Sequence, residues 1–169
     1  MSTYPGLPPA ILLEGRPHRI EVRVAPVRHT QVIHVNGALW VLLSGTERRS
    51  PEAVLETWLR ERARAVIFRR LADLAGRHGF RYRRVFIRDQ RTRWGSCSNR
   101  GNLSFNFRLI MAPPEVLDYV ILHELVHLRE PNHSARFWAA LARLCPDYRE
   151  RRRWLRRSER QLMDALGRR

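Results

Sequence analysis

From Pro114 to Leu128 the chain reads P-E-V-L-D-Y-V-I-L-H-E-L-V-H-L, and this stretch constrains everything around it. Pro113-Pro114 opens a helix, since proline is tolerated at the first helical position. Val116, Leu117, Tyr119, Val120, Ile121, Leu122, Leu125, Val126 and Leu128 then cover nearly the whole helical circumference. A helix that is apolar on all sides has to be surrounded, so it belongs at the centre of the fold. His123, Glu124 and His127 sit inside it, and burying them costs free energy unless they are paired or bound to a metal.

Residues four apart lie about 40° apart around a helix, so both imidazoles project from one face. Glu124 flanks them at about 60–100°, which suits a base that reaches water beside a metal without ligating the metal. This is the H-E-x-x-H arrangement. A buried histidine pair bonded to backbone is the plain alternative, and the residues after His127 argue against it. In a continuing helix His133 would stand roughly 9 Å further along the axis. Pro131 prevents continuation, because it lacks an N–H and its ring clashes with the carbonyl of His127. Asn132 tolerates a turn, so His133 can swing back toward the other two imidazoles. Three neutral imidazoles with an open fourth position describe a catalytic zinc site, one ion per chain.

The remaining pattern suggests an α+β fold. Residues 19–25 and 31–43 alternate like strands, and Asn36-Gly37 marks a hairpin turn. Ser50 is the candidate N-cap of a long helix with Pro51 at its first position, ending near Gly76–Gly79. Val54, Leu55, Trp58, Leu59, Val66 and Leu71 form its apolar face. Strands are expected around Tyr82–Ile87 and Leu103–Leu109, joined by the polar stretch W-G-S-C-S-N-R-G-N. Two helices come after Pro131, one over Ser134–Leu144 and an arginine-rich one from about Asp147 to Leu166. The expected division is a tail and hairpin region over 1–46 packed on a main domain over 47–169, with 169 residues ample for one core.

Composition narrows the setting. No apolar run is long enough for a membrane span. The N-terminus lacks the basic and apolar regions of a signal peptide, and Cys97 and Cys145 form no framework, so a reduced, cytoplasmic location is expected. All 32 basic residues are arginine against 16 acidic ones, a net charge of +16. Such an excess invites nucleic acid as a partner. A coding bias toward arginine is the competing explanation.

Four segments together, R-T-R-W-G-S-C-S (91–98), G-N-L-S-F-N (101–106), L-D-Y-V-I-L-H-E-L-V-H-L (117–128) and N-H-S-A-R-F-W (132–138), resemble the YgjP-like metallopeptidases. These are relatives of the SprT-like and WLM zinc peptidases in the zincin group, and the resemblance runs over roughly residues 17 to 166. It implies a minimal zincin-like fold, zinc held by His123, His127 and His133, and Glu124 as general base. It also implies that the strand through Gly101–Asn106 lies beside the active-site helix and holds an extended substrate by strand addition. A metzincin would need glycine where this chain has Glu130. A gluzincin would take a later glutamate, with Glu150 the best-placed candidate and Glu159 more distant; the resemblance favours His133.

The resulting expectation is a zinc metallopeptidase acting on protein or peptide. A metal-dependent hydrolase of a phosphate compound and a basic nucleic-acid-associated protein with a zinc site are the alternatives, the arginine excess being their motive. Arg93, Trp94 and Asn106 are the candidates for substrate contact, with Trp94 weighted toward packing beneath the site. Cys97 reads as a small buried side chain. Tyr119 and Tyr148, near enough in sequence to act as acids, read as packing residues, and the arginines of 149–157 as a solvated helix face.

Overall fold

The computed structural model describes residues 4–167. Its first layer is a four-stranded sheet of β1 (Ala10–Leu13), β2 (Arg16–Val24), β3 (Gln31–Val35) and β4 (Ala38–Leu43), in the order β1-β2-β4-β3. Two tight turns build it. Asn36 and Gly37 both have positive φ, 49° and 70°, as a two-residue hairpin between β3 and β4 requires. Glu14 and Gly15, at 53° and 77°, make the same turn between β1 and β2. The sequence pattern gives no sign of β1. It also does not reveal that β2 runs parallel to β4, with Ile20 opposite Leu39 and Val22 opposite Val41.

Helix α1 (Pro51–His78) has the ends that its sequence announces. The Ser50 hydroxyl accepts from the Ala53 N–H at 3.3 Å, and Gly79 closes the helix in the left-handed region, its N–H donating to the Ala75 carbonyl. Leu55, Leu59, Ala63, Ile67 and Leu71 form its fully buried line. Trp58 and Val66, expected on that face, lie only partly buried at its margin.

The second sheet holds β5 (Arg84–Arg88), β6 (Gly95–Cys97) and β7 (Asn102–Asn106) in the order β5-β7-β6. Two expectations change here. The stretch W-G-S-C contains an edge strand, β6, antiparallel to β7. The strand expected to reach Leu109 stops at Asn106, whose carboxamide oxygen accepts from the Arg108 N–H at 3.0 Å and starts a 3₁₀ turn over Phe107–Met111. That turn buries Phe107, Leu109, Ile110 and Met111 together, which the alternating faces of a strand could not do.

Helix α2 (Pro114–His127) is enclosed as its composition demands, by α1, the 3₁₀ turn, β6, α3 (Ala135–Leu144) and α4 (Tyr148–Met163). Its ends are tied to α1. Asp118 accepts two bonds from the Arg70 guanidinium, at 2.9 and 2.5 Å. Just beyond α2, Arg129 donates to the Gly79 carbonyl at 2.7 Å and stacks over Phe80. These ties fix the helix that carries the histidines.

Ile67, fully buried at the middle of α1, reports on this core. The Ile67→Ala variant is expected to lose about 2–5 kcal/mol of stability in chemical denaturation. Arg69→Ala, on the exposed face of the same helix, is expected to stay within about 0.5 kcal/mol.

Candidate metal centre

His123 and His127 project from one face of α2, and the chain after Pro131 brings His133 back to them. The His133 Nε2 lies 3.0 Å from the Nε2 of His127 and 3.0 Å from that of His123. All three donor atoms fall within 4.8 Å of one another. Imidazole nitrogens on one tetrahedral zinc at roughly 2.0–2.1 Å stand about 3.3 Å apart, close to this spacing. The protons support the same fit. His127 Nδ1 faces the Glu130 carbonyl at 3.1 Å, so it carries the hydrogen and leaves a lone pair on Nε2. His133 Nε2 can donate one hydrogen at most, so it cannot bond both of its neighbours. A cation between the lone pairs relieves that crowding.

Burial favours the neutral form most strongly at His123. Desolvation, followed by the charges of His127, His133 and Arg152, pushes His123 down to about 3. His133 is lowered by the same kinds of cause. The three rings rest on one side chain, Phe137, which is fully buried with its centroid 4.9 Å from His123, 4.5 Å from His127 and 4.8 Å from His133. Trp138 stacks on His133 at 5.6 Å and on Tyr148 at 5.4 Å. The sequence motifs assign no role to Phe137. Its signal is present all the same: Ser134 caps α3 by accepting from the Phe137 N–H, which sets that residue on the first inward turn.

Glu124 is buried beside the imidazoles, and desolvation raises its carboxyl to about 8 against the opposing charge of Arg93. A bound cation would favour the carboxylate. The wall opposite Glu124 is β6. A Cβ at Gly95 would stand 2.7 Å from the Glu124 Oε1 and 2.8 Å from its Cγ, so only glycine permits this approach. In the sequence Gly95, too, reads only as part of a polar loop.

The other candidates separate clearly. Arg93 is exposed and lines the open cleft of about 690 Å³ above the histidines, together with Arg81 and β6. Trp94 packs against the core. Asn106, expected at the substrate, is fully buried instead; its amide donates to the carbonyls of Gln90 at 2.5 Å and Arg93 at 3.2 Å. It anchors the 90–94 loop and has no face left for a ligand. The strand through Gly101–Asn106 is also not the one at the cleft: β7 is flanked on both sides, and β6 is the free edge beside α2. Glu150 is exposed, with Arg151 at 3.9 Å, so of the two third-donor candidates only His133 meets the pair. Tyr119 is a core residue with its hydroxyl pushed up to about 12 by burial. Cys97 lines the cleft, and desolvation followed by the Glu124 charge holds its thiol at about 11.

The family model of the YgjP-like metallopeptidase domain matches residues 6–158, and the chain belongs to that family. No curated protein matches it significantly. Among solved structures, the crystal structure of the metallopeptidase zymogen of Methanocaldococcus jannaschii jannalysin is similar at 20% identity and a TM-score of 0.39. That likeness covers 54% of this chain and 94% of the other.

Gly95→Ala is expected to keep the fold and the metal affinity while displacing the Glu124 carboxylate, lowering hydrolysis at least tenfold. Chelator competition and a peptidase assay on the same preparation check both halves.

Proposed function

From its membership of the YgjP-like metallopeptidases as the premise, we propose that the chain hydrolyses peptide bonds with one zinc ion held by His123, His127 and His133 and with Glu124 as general base. The observation that carries this reading is the His133 Nε2 standing 3.0 Å from the Nε2 of both His123 and His127, beside a buried carboxylate on the floor of an open cleft. Zinc, when bound, supplies a Lewis acid that polarises a carbonyl and makes water acidic enough to deprotonate near neutral pH. The chain's own residues do the rest. Glu124 takes the proton from the attacking water and returns it to the leaving amine. Its burial excludes competing solvent, and the approach of Gly95 fixes where it stands.

An extended substrate has a place to lie. Along β6 and its two flanking residues, Trp94, Ser96 and Ser98 direct their backbone groups to β7, with the Trp94 carbonyl accepting from the Asn106 N–H at 2.8 Å and the Ser98 N–H donating to the Asn102 carbonyl at 2.9 Å. Gly95 and Cys97 therefore direct theirs to the free edge. A peptide added there as a further strand passes directly over Glu124. A second reading, hydrolysis of a phosphate compound, draws on Arg81 and Arg93 at the cleft, since guanidinium binds phosphate bidentately. Incubation of the zinc-loaded protein with peptides and with nucleoside phosphates separates the two.

Glu124→Gln is expected to bind zinc as tightly as the parent and to lose at least a hundredfold in kcat, because an amide cannot accept the proton. His133→Ala is expected to remain folded and to lose zinc affinity by several orders of magnitude, with Glu150→Ala little changed. Full activity in Glu124→Gln, or metal loss in Glu150→Ala alone, would refute the assignment.

A further inference from the structure

The cleft above the histidines is charged in one sense. Glu124 is the only carboxylate among the residues that line it, and that group is buried in its floor. Its rim carries the guanidinium groups of Arg81 and Arg93, both exposed and without an ion pair among the described residues. On the opposite side of His133, Arg152 stacks at 5.0 Å over Trp138, which in turn stacks on His133. The bias extends past the cleft. Residues 81–100 hold seven arginines, all exposed, and one acidic residue, Asp89. Asp89 already accepts from Arg60 at 2.9 Å and from Arg108.

On α1 and the turn before it five of the eight arginines are held differently. Arg49, Arg60, Arg62, Arg70 and Arg77 each pair with a carboxylate at 2.7–3.2 Å. The cleft side of the molecule lacks that compensation. A low-dielectric groove lined by one sign of charge focuses its field on whatever enters.

We propose that the cleft is selective for acidic peptide segments, in which Asp or Glu side chains on either side of the reacting bond are received by Arg81 and Arg93 on the β6 side and by Arg152 beyond His133. The proposal rests on the peptidase reading of the same site. It favours peptide over nucleic acid for two reasons. The free β6 edge offers backbone hydrogen bonds to an extended chain. No aromatic face among the described residues at the cleft is open for base stacking, because Trp94 packs on the core and Trp138 is covered by His133, Tyr148 and Arg152. The nucleic-acid contact expected from net charge alone therefore lacks its stacking partner here.

Binding tests the proposal apart from catalysis. Zinc-loaded Glu124→Gln protein is titrated with fluorescein-labelled ten-residue peptides that differ only at four flanking positions, carrying Glu, Gln or Lys. The Glu peptide is expected to bind at least tenfold tighter than the Gln peptide at 50 mM salt, and the gap to narrow as salt screens it. The Arg81→Gln/Arg93→Gln double variant is expected to lose most of that gap. Arg64→Gln/Arg69→Gln, which removes equal charge from the exposed face of α1, is expected to keep it. Equal affinity for Glu and Gln peptides overturns the proposal. So does an equal loss in both double variants, which would assign the effect to net charge, and so does displacement of the Glu peptide by a ten-nucleotide single strand at lower concentration than by unlabelled peptide. Cleavage by the zinc-loaded parent protein is scored separately. If it cuts no peptide of any charge while the binding preference holds, the peptidase reading fails and the acidic selectivity stands.

Discussion

The structure depends on holding two half-buried histidines and a buried carboxylate within a helix whose remaining surface is almost wholly apolar. Apolar packing around α2 provides the core, and the same packing removes water from His123 and Glu124. Desolvation then moves the two groups in opposite directions, the imidazole downward and the carboxyl upward, so both favour their neutral forms. Two of the compensations come from backbone rather than from other ionisable side chains. The Glu130 carbonyl orients His127, and the absence of a side chain at Gly95 leaves space for Glu124. His123 Nδ1 has no partner among the described residues. A cation shared by the three converging Nε2 atoms would favour the neutral imidazoles and the Glu124 carboxylate together.

Elements written in local signals could be read from the chain. The caps of α1, the Asn36-Gly37 turn, the break at Pro131 and the inward course of His133 each follow from a few adjacent residues with strong preferences. Elements that depend on distant partners could not. Nothing local distinguishes a parallel from an antiparallel neighbour for β2, because its alternation is the same in both. Strand β6 is three residues with only Cys97 as an apolar member, and it exists because β7 supplies its ladder. Asn106 misled for a related reason: a polar residue at the end of a strand beside an active site fits a ligand contact and a buried anchor equally well. Only its complete burial and its bonds to Gln90, Arg93 and Arg108 distinguish them.

Phe137 shows how the two kinds of information meet. Its position on the inward face of α3 is local, fixed by the Ser134 cap and the turn after Pro131. Its role is not local, since three rings from two different segments converge on it. Loss of this ring would open a cavity beneath all three imidazoles, so the precision of the candidate centre depends on ordinary core packing as much as on donor identity.

Arginine content, ambiguous as composition, acquires meaning from location. Guanidinium groups stack over Trp40, Phe107, Phe80 and Trp138, using a planarity that lysine lacks. Arg70 bridges α1 to α2 through Asp118, and Arg60, the residue over Phe107, also reaches the 88–90 turn through Asp89. These uses explain why arginine can be tolerated in such number, because much of its charge is spread over ring faces or paired. They leave out the cleft rim beside β6 and α2, where Arg81 and Arg93 have neither a ring beneath them nor an ion pair among the described residues. A coding bias accounts for the choice of arginine over lysine, but it says nothing about where acidic partners are withheld. The field that an incoming chain meets is therefore set less by the total charge than by the scarcity of carboxylates on this side of the molecule.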